Sequence, residues 1–272
     1  MSPISRKYRS FSWKETSLRV ACDKFDLVTA TVVARRRELE RYLARHPEFQ
    51  RSLTPVDLLE DAPEVACRMA AAARLTGLGP MAAVAGCLAQ YGVEAALNAG
   101  CREAIVENGG DIYLASDAEV VIGLFAGKSP LAATLAFRIQ PKEMPLALCS
   151  SSSLMGHSLS FGRCDLATVA AKDAALADAA VTLVCNRIRR EADLEPVLEE
   201  VGAIPGVGGI LAVKNRRIAL WGRLPELVRN RDTASVQKIT RHHEAQADAE
   251  TPTISRLAQC IPIKKSNKKV LH

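Results

Sequence analysis

The residues best suited to binding a cation in this sequence are Asp178 and Thr182. Every other residue of the segment 174–184 is apolar. A helix that is apolar on all sides is normally buried, and a buried carboxylate is destabilising unless it is paired or bound to a cation. Side chains four residues apart lie on one face of a helix, one turn apart. Two hard oxygen ligands in this arrangement favour Mg²⁺ or Ca²⁺.

Asp178 also has a purely structural interpretation, in which a neighbouring arginine or backbone N–H groups satisfy the carboxylate. Both interpretations stay open at this point, because perturbed buried acids mark functional sites only statistically. The surrounding pattern is clearer, since an apolar run at 166–171 predicts a strand and Lys172-Asp173 a turn. We therefore expect a strand–turn–helix unit that carries the candidate ligands.

A glycine-rich turn leads into a second candidate segment, Gly79-Pro80-Met81. The pattern predicts one helix over 63–75 and a second from Pro80 to Leu97. Free N–H groups at the start of such a helix can hold an anion, and here they would come from the residues after Pro80. The alternative is an ordinary connection between two helices.

The third candidate segment is Asn108-Gly109-Gly110-Asp111, which lies between two short apolar runs within 102–115. This pattern predicts a β-hairpin with a type I′ turn. Glycines also let the backbone approach a ligand closely, while the flanking Asn and Asp offer polar groups to it. The turn and the binding interpretation can both hold.

A hydroxyl-rich loop at 150–158 contains His157 and Ser158, and it precedes the strand–turn–helix unit. A Ser–His hydrolase would need a nucleophile elbow of the G-x-S-x-G type, which the sequence does not contain. The remaining histidines lie in charged or terminal segments. His157 is thus the histidine best placed for a structured site, although a single local hydrogen bond would also explain it.

The distribution of short strands and Ala-rich helices predicts an α+β fold in which antiparallel-rich sheets pack against those helices. We expect one compact domain over residues 1–228, which could comprise two subdomains, and a polar to basic tail over 229–272 that is partly disordered. Strands are expected at 8–25, 102–115, 120–125, 134–139, 146–149, 166–171, 207–213 and 217–221, and further helices at 34–49 and 193–201.

Composition narrows the function classes. Aromatic residues make up 4% of the chain and hydrophobic residues 48%, so we expect a core built largely from Ala, Leu and Val. The net charge is +6 and the basic residues concentrate near both ends, which is compatible with an anionic partner. A nucleic-acid partner is nevertheless disfavoured, because aromatic stacking platforms and known binding motifs are missing.

The eight cysteines include no C-x-x-C pair, which argues against a zinc knuckle or an iron–sulfur cluster. Their placement within apolar runs is typical of buried thiols in a reducing compartment. The first fifteen residues lack an apolar signal core, and no run reaches transmembrane length. We therefore expect a cytoplasmic protein without a membrane partner.

Three segments, considered together, form a more specific signature. They read GPMAAVAG at 79–86, VENGGDI at 106–112, and a His-containing loop (GHSLSFG), a strand and an A-D-A-x-x-T helix within 156–182. In this order they resemble the ApbE superfamily, the FAD:protein FMN transferases, and in particular a shorter, cytoplasmic, largely uncharacterised branch of it. The resemblance spans most of 17–221 and implies an ApbE-like fold.

The resemblance also implies roles for individual residues. Asp178 and Thr182 match the Asp and Thr that bind the divalent cation, Mg²⁺, which holds the FAD pyrophosphate in the transferases. No catalytic residue is assigned by it. The ligand-binding residues that it implies for FAD, FMN or a related phosphate compound are Gly79, Pro80, Met81, Asn108, Gly109, Gly110, Asp111, His157 and Ser158.

Three functions stay open, because His157 is followed by Ser158-Leu159-Ser160 rather than by the transferases' H-I-x-D-P continuation. The first is a protein that binds a flavin or another phosphate-containing ligand through a divalent cation, with FMN transfer to a protein acceptor as its activity. The second is a non-catalytic accessory protein of sulfur assimilation. The third is a nucleic-acid binder that uses the basic termini.

Overall fold

The computed structural model describes residues 6–124, 135–153, 162–215 and 217–230, together with the backbone of 259–260 and 268–271. Six α-helices occur in these ranges, and a 3-10 turn precedes the fourth. The helices are α1 (Phe25–Arg45), α2 (Pro47–Arg51), α3 (Glu64–Thr76), α4 (Val84–Asn98), α5 (Ala174–Arg187) and α6 (Leu194–Gly202).

Thirteen strands accompany the helices in the part of the chain that the structure describes, and every recorded pairing between them is antiparallel. They are β1 (Arg9–Trp13), β2 (Thr16–Ala21), β3 (Glu103–Asn108), β4 (Asp111–Ser116), β5 (Val120–Gly123), β6 (Leu135–Ile139), β7 (Leu146–Ser151), β8 (Leu166–Ala171), β9 (Val207–Lys214), β10 (Arg217–Gly222), β11 (Glu226–Arg229), β12 (Gln259–Cys260) and β13 (Lys268–Leu271).

The strands form two sheets. The larger sheet has the order β1-β2-β3-β4-β7-β8-β9-β10-β13, and the smaller has the order β12-β11-β6-β5. Helices α4 and α5 pack on the central strands of the larger sheet. This mixture of antiparallel sheets and packed helices confirms the predicted α+β fold class.

Along the central strands of the larger sheet, small side chains lie on one face and large side chains on the other. The residues that contact the helices are small enough for α5 to approach the sheet closely. The opposite face carries leucines, which form a second hydrophobic cluster with the smaller sheet. Small residues on the helix face include Ala147, Cys149, Ala167, Val169 and Ala171, and the leucines on the other face include Leu146, Leu148 and Leu166.

Two predicted helix starts were wrong. The helix expected from Ala34 begins at Phe25, since burial of Val28 and Val32 outweighs the preference of β-branched residues for strands. The helix expected from Pro80 begins with a 3-10 turn over Pro80–Ala83, and the α-helix starts at Val84. This second shift moves the free N–H groups of α4 away from Gly79.

The C-terminal part contributes backbone pairing to both sheets. β12 pairs with β11, and β13 pairs with β10. The division into a domain over 1–228 and a partly disordered tail over 229–272 stays a prediction.

No single helix in the described ranges has both the length and the hydropathy to cross a membrane. Residues Glu64–Thr76 and Pro80–Asn98 reach that length and composition only as a pair, with a bend of 106° between them.

Helices α4 and α5 approach each other most closely at Gly86. A Cβ atom at this position would lie 2.3 Å from the carbonyl oxygen of Ala174 and 2.9 Å from Cβ of Asp178. The first distance is far inside van der Waals contact, and it involves backbone that cannot rotate away. Position 86 therefore accepts only glycine in this packing.

Replacement of Gly86 by Ala should lower the free energy of unfolding by about 1–3 kcal/mol, because the added methyl group forces α4 and α5 apart. Gly92→Ala in the same helix is the matched control. Its methyl group would meet only side chains, at 3.1–3.4 Å, and the gain in helix propensity of about 1 kcal/mol offsets this crowding. Urea unfolding of both variants measures their free energies of unfolding. Equal decreases in the two variants would contradict the close approach of α4 and α5 at Gly86.

Candidate functional site

Two hydrogen bonds fix the start of α5, and one of them reaches α4. The side chain of Asp173 caps the helix by accepting a bond from the N–H of Leu176, at 2.9 Å. The N–H of Ala174 donates to Oε1 of Gln90 on α4, at 2.7 Å. These contacts fix the rotation of α5, so that Asp178, one turn further on, faces the beginning of α4.

The carboxylate of Asp178 caps α4 from a distant part of the sequence. The N–H of Gly86 donates to its Oδ2 at 2.9 Å, across a separation of 92 residues. Gly86 is the third residue of α4, where N–H groups have no partner within the helix, and Ala83 before the helix supplies no side-chain cap. The structure thus shows backbone donors at Asp178, as in the structural interpretation.

These hydrogen bonds do not offset the burial of Asp178. The side chain is buried, with 8% of its surface exposed. Burial raises the pKa of Asp178 from its usual 3.8 to about 7, although the N–H groups of Gly86 and Ala85 act in the opposite direction. The charged form therefore lacks part of the stabilisation that it has in water.

The hairpin of β3 and β4 brings the Asn108–Asp111 turn onto the same helix start. Gly109 and Gly110 have φ values of +65° and +107°, as a type I′ turn requires. Nδ2 of Asn108 donates to the carbonyl oxygen of Ala85 at 3.1 Å. The predicted hairpin is present, and its turn lies beside α4 and α5.

Asp111 is a second buried carboxylate in this cluster. Its Oδ1 makes no hydrogen bond within the part of the chain that the structure describes. Burial raises the pKa of Asp111 well above its usual range, and the negative charge of Asp178 raises it further. The thiol of Cys149 and the N–H of Ser150 act in the opposite direction. Two mutually repelling carboxylates thus share one buried region.

This donor set fits a magnesium ion better than a transition metal. Within the described ranges, no three His, Cys, Asp or Glu side chains are grouped to hold a metal ion by themselves. Magnesium is commonly held by one or two carboxylates, with phosphate and water oxygens as the other ligands. Asp111 and Asp178 supply two carboxylates, and the unpartnered Oδ1 of Asp111 is an oxygen that a cation would satisfy.

The other predicted site residues occupy different positions around this cluster. Thr182 is half-buried one turn beyond Asp178 on α5. Gly79 packs against another segment, since a Cβ there would lie 1.9 Å from the carbonyl oxygen of Ser52. Pro80 and Met81 form the 3-10 turn before α4. His157 and Ser158 lie outside the described residues.

Sequence reasoning missed four residues of the cluster. Ala85 and Gly86 belong to the motif at 79–86, but the structure places the end of that motif, rather than its beginning, at Asp178. Cys149 and Ser150 enter because β7 pairs with β4, with Asp111 opposite Cys149. The one sequence signal for Ala85 and Gly86 is that they belong to the motif at 79–86. No sequence pattern indicated Cys149.

A family model and several known proteins are similar in sequence to this chain. A family model described as AbpE bacteria matches residues 4–199. A UPF0280 protein of Methanocella arvoryzae is 40% identical over 242 residues, which cover 88% of this chain and 98% of the relative. A UPF0280 protein of Methanospirillum hungatei is 41% identical over 223 residues, with 80% and 89% covered.

Solved structures of similar fold have low sequence identity. The flavin transferase ApbE from Vibrio cholerae matches with a TM-score of 0.53 and 10% identity, over 87% of this chain and 100% of that one. The ApbE protein from Thermotoga maritima matches with a TM-score of 0.50 and 13% identity, over 76% and 94%. These matches show an ApbE-like fold, as the sequence predicted.

The raised pKa of Asp178 predicts how stability depends on pH without a cation. Between pH 4 and 7 the folded state binds a proton at Asp178 that the unfolded state has released. The free energy of unfolding should therefore fall with rising pH in this window, by ~2–4 kcal/mol from this group. Asp178→Asn should remove that decrease. Urea unfolding in EDTA at several pH values measures it.

Asp165→Asn is the matched control, because Asp165 is equally buried at 8% exposure. It lies elsewhere, in an ion pair with Lys214 at 3.2 Å. In this control the free energy of unfolding should still fall from pH 4 to pH 7, as it does in the wild type. An equal pH dependence in the wild type and in Asp178→Asn would contradict the assignment.

Proposed function

The chain belongs to the family described as AbpE bacteria, and from this premise we propose that it binds a flavin nucleotide or another phosphate-containing ligand through a divalent cation. The observation that carries the proposal is the buried pair of carboxylates, Asp111 and Asp178, with the unpartnered Oδ1 of Asp111. The ApbE-like fold makes FAD and FMN the first ligands to test.

The residues that would hold the cation are Asp178 and Thr182 on α5, together with Asp111 at the hairpin turn. Magnesium is the expected ion, because the available ligands are few and all are oxygen atoms. When bound, it would neutralise pyrophosphate charge and stabilise a phosphoryl group under attack by a hydroxyl. The cation would also stabilise the ionised forms of Asp111 and Asp178, which burial otherwise disfavours.

The surrounding groups of this chain would position the two carboxylates. The N–H of Gly86 fixes one oxygen of Asp178, and the amide of Asn108 holds the turn to the carbonyl of Ala85. Gly109 and Gly110 have no side chains, so the backbone of the turn can lie close to a ligand. A site supported in this way keeps its geometry before the ligand arrives.

We propose an FMN transferase-like reaction as the activity, with a hydroxyl of a protein acceptor as the attacking group. The ApbE-like fold supports this reaction class. A ligand that binds without transfer would instead favour the non-catalytic accessory function. Incubation with FAD, Mg²⁺ and candidate acceptor proteins, followed by mass spectrometry of the acceptor, distinguishes the two.

Ligand binding should raise the Tm only when both the flavin nucleotide and Mg²⁺ are present. With Mg²⁺ present, FAD or FMN at about 100-fold above its Kd should raise the Tm by roughly 5–10 °C. With EDTA in place of Mg²⁺ the rise should vanish, because phosphates and carboxylates then repel each other. Differential scanning fluorimetry with both flavins measures this.

Asp111→Asn and Asp178→Asn should each lose the Mg²⁺-dependent rise, whereas Asp165→Asn should retain it. If neither flavin shifts the Tm of the wild type in Mg²⁺, the flavin is the wrong ligand. If Mg²⁺ itself stabilises the wild type and Asp178→Asn equally, the assignment of the cation site is wrong.

A further inference from the structure

Two cysteine thiols lie in contact on the side of the larger sheet where α1 begins. Cys22 follows β2 directly, and Cys101 lies between α4 and β3. Their Sγ atoms are 3.7 Å apart, although the residues are separated by 79 positions in the sequence. An adjacent hydrogen bond from Nζ of Lys24 to the carbonyl of Ala99 holds the same two chain segments together.

Partial exposure combined with a thiol–thiol contact distinguishes this pair from the other cysteines whose side chains the structure describes. The side chains of Cys22 and Cys101 are half-buried, so a small reagent can approach them. Cys164 and Cys185 also interact, but both are buried. Cys67 is half-buried, and its thiol donates to the carbonyl of Ala62 rather than to a second thiol.

We propose that Cys22 and Cys101 are a reversible redox site, which forms an internal disulfide by exchange with a low-molecular-weight disulfide such as oxidised glutathione. In the first step one thiolate attacks a sulfur of the oxidant, an S–S bond breaks and one glutathione thiolate leaves. In the second step the other cysteine attacks the mixed disulfide and releases the second glutathione. Two thiols are oxidised, one disulfide is reduced, and the two protons pass to the released glutathione.

The hydrogen bond between the two thiols sets the order of the steps. Cys22 donates to the sulfur of Cys101. Burial raises the pKa of Cys22 to about 11, and the neighbouring Cys101 contributes in the same direction. Cys22 is therefore protonated at neutral pH. Because its S–H points at the sulfur of Cys101, we assign Cys101 as the sulfur that attacks first. Cys22 then resolves the mixed disulfide.

The internal disulfide would connect the segment that precedes α1 with the segment that follows α4. A cross-link between residues this far apart in sequence restricts the unfolded chain and stabilises the folded one. The link lies at the end of α4 opposite to Gly86, so it does not use any residue of the carboxylate cluster. Its oxidation can thus be tested independently of flavin or cation binding.

The test is to incubate the reduced full-length protein with excess oxidised glutathione and to analyse it by intact mass and by non-reducing peptide mapping. The wild type should lose the mass of two hydrogen atoms and give one linked peptide that joins Cys22 to Cys101. Dithiothreitol should reverse both changes, and the oxidised protein should have the higher Tm. A protein that stays reduced, or that only accumulates glutathione adducts, would overturn the proposal.

Single variants separate this site from the other thiols. Cys22→Ser should stop at a glutathione adduct on Cys101, because the resolving thiol is missing. Cys67→Ser, the control with an equally half-buried thiol, should form the same linked peptide as the wild type. Linkage of Cys101 to a cysteine other than Cys22 would also count against the proposal.

Discussion

The hydrogen bond from the N–H of Gly86 to the carboxylate of Asp178 is the constraint around which this fold is arranged. It joins the first turn of α4 to the middle of α5, and it requires the two helix backbones to approach closely. That approach needs glycine at 86 and alanines on α5. It also needs small residues on the strands below, which explains why an Ala-rich composition suits this architecture.

If its only role is to cap a helix, a carboxylate at this position costs more free energy than a neutral capping side chain would. A serine or threonine at the N-cap does so locally, without burying a charge. Here position 83 holds alanine, and the acceptor comes from an acid whose pKa is raised by burial. Asp111 adds a second raised pKa beside it. The presence of two such acids is easier to explain by a bound cation than by capping alone.

Local patterns predicted much of this fold, whereas contacts between distant segments could not be read from the sequence. The strand over 166–171, the turn and the start of α5 follow from apolar runs and turn residues, and the Asn108–Asp111 hairpin from its glycines. The sequence also predicted that Asp178 is buried. It gave no sign that Gly86, rather than Gly79, would be its neighbour, because that depends on how α4 and α5 pack. The early start of α1 was missed for a similar reason, since burial overrode the local preference of its valines.

The structural and the cation-binding interpretations of Asp178 do not exclude each other. An ionised carboxylate has about four acceptor positions, and the bond from Gly86 uses one oxygen, Oδ2. That bond restricts the rotation of the side chain and so directs the remaining lone pairs. The turn that carries Asp111 is held to the adjacent residue, Ala85, by Asn108. The same backbone contacts that dock the helices would thereby orient both carboxylates toward a shared ligand.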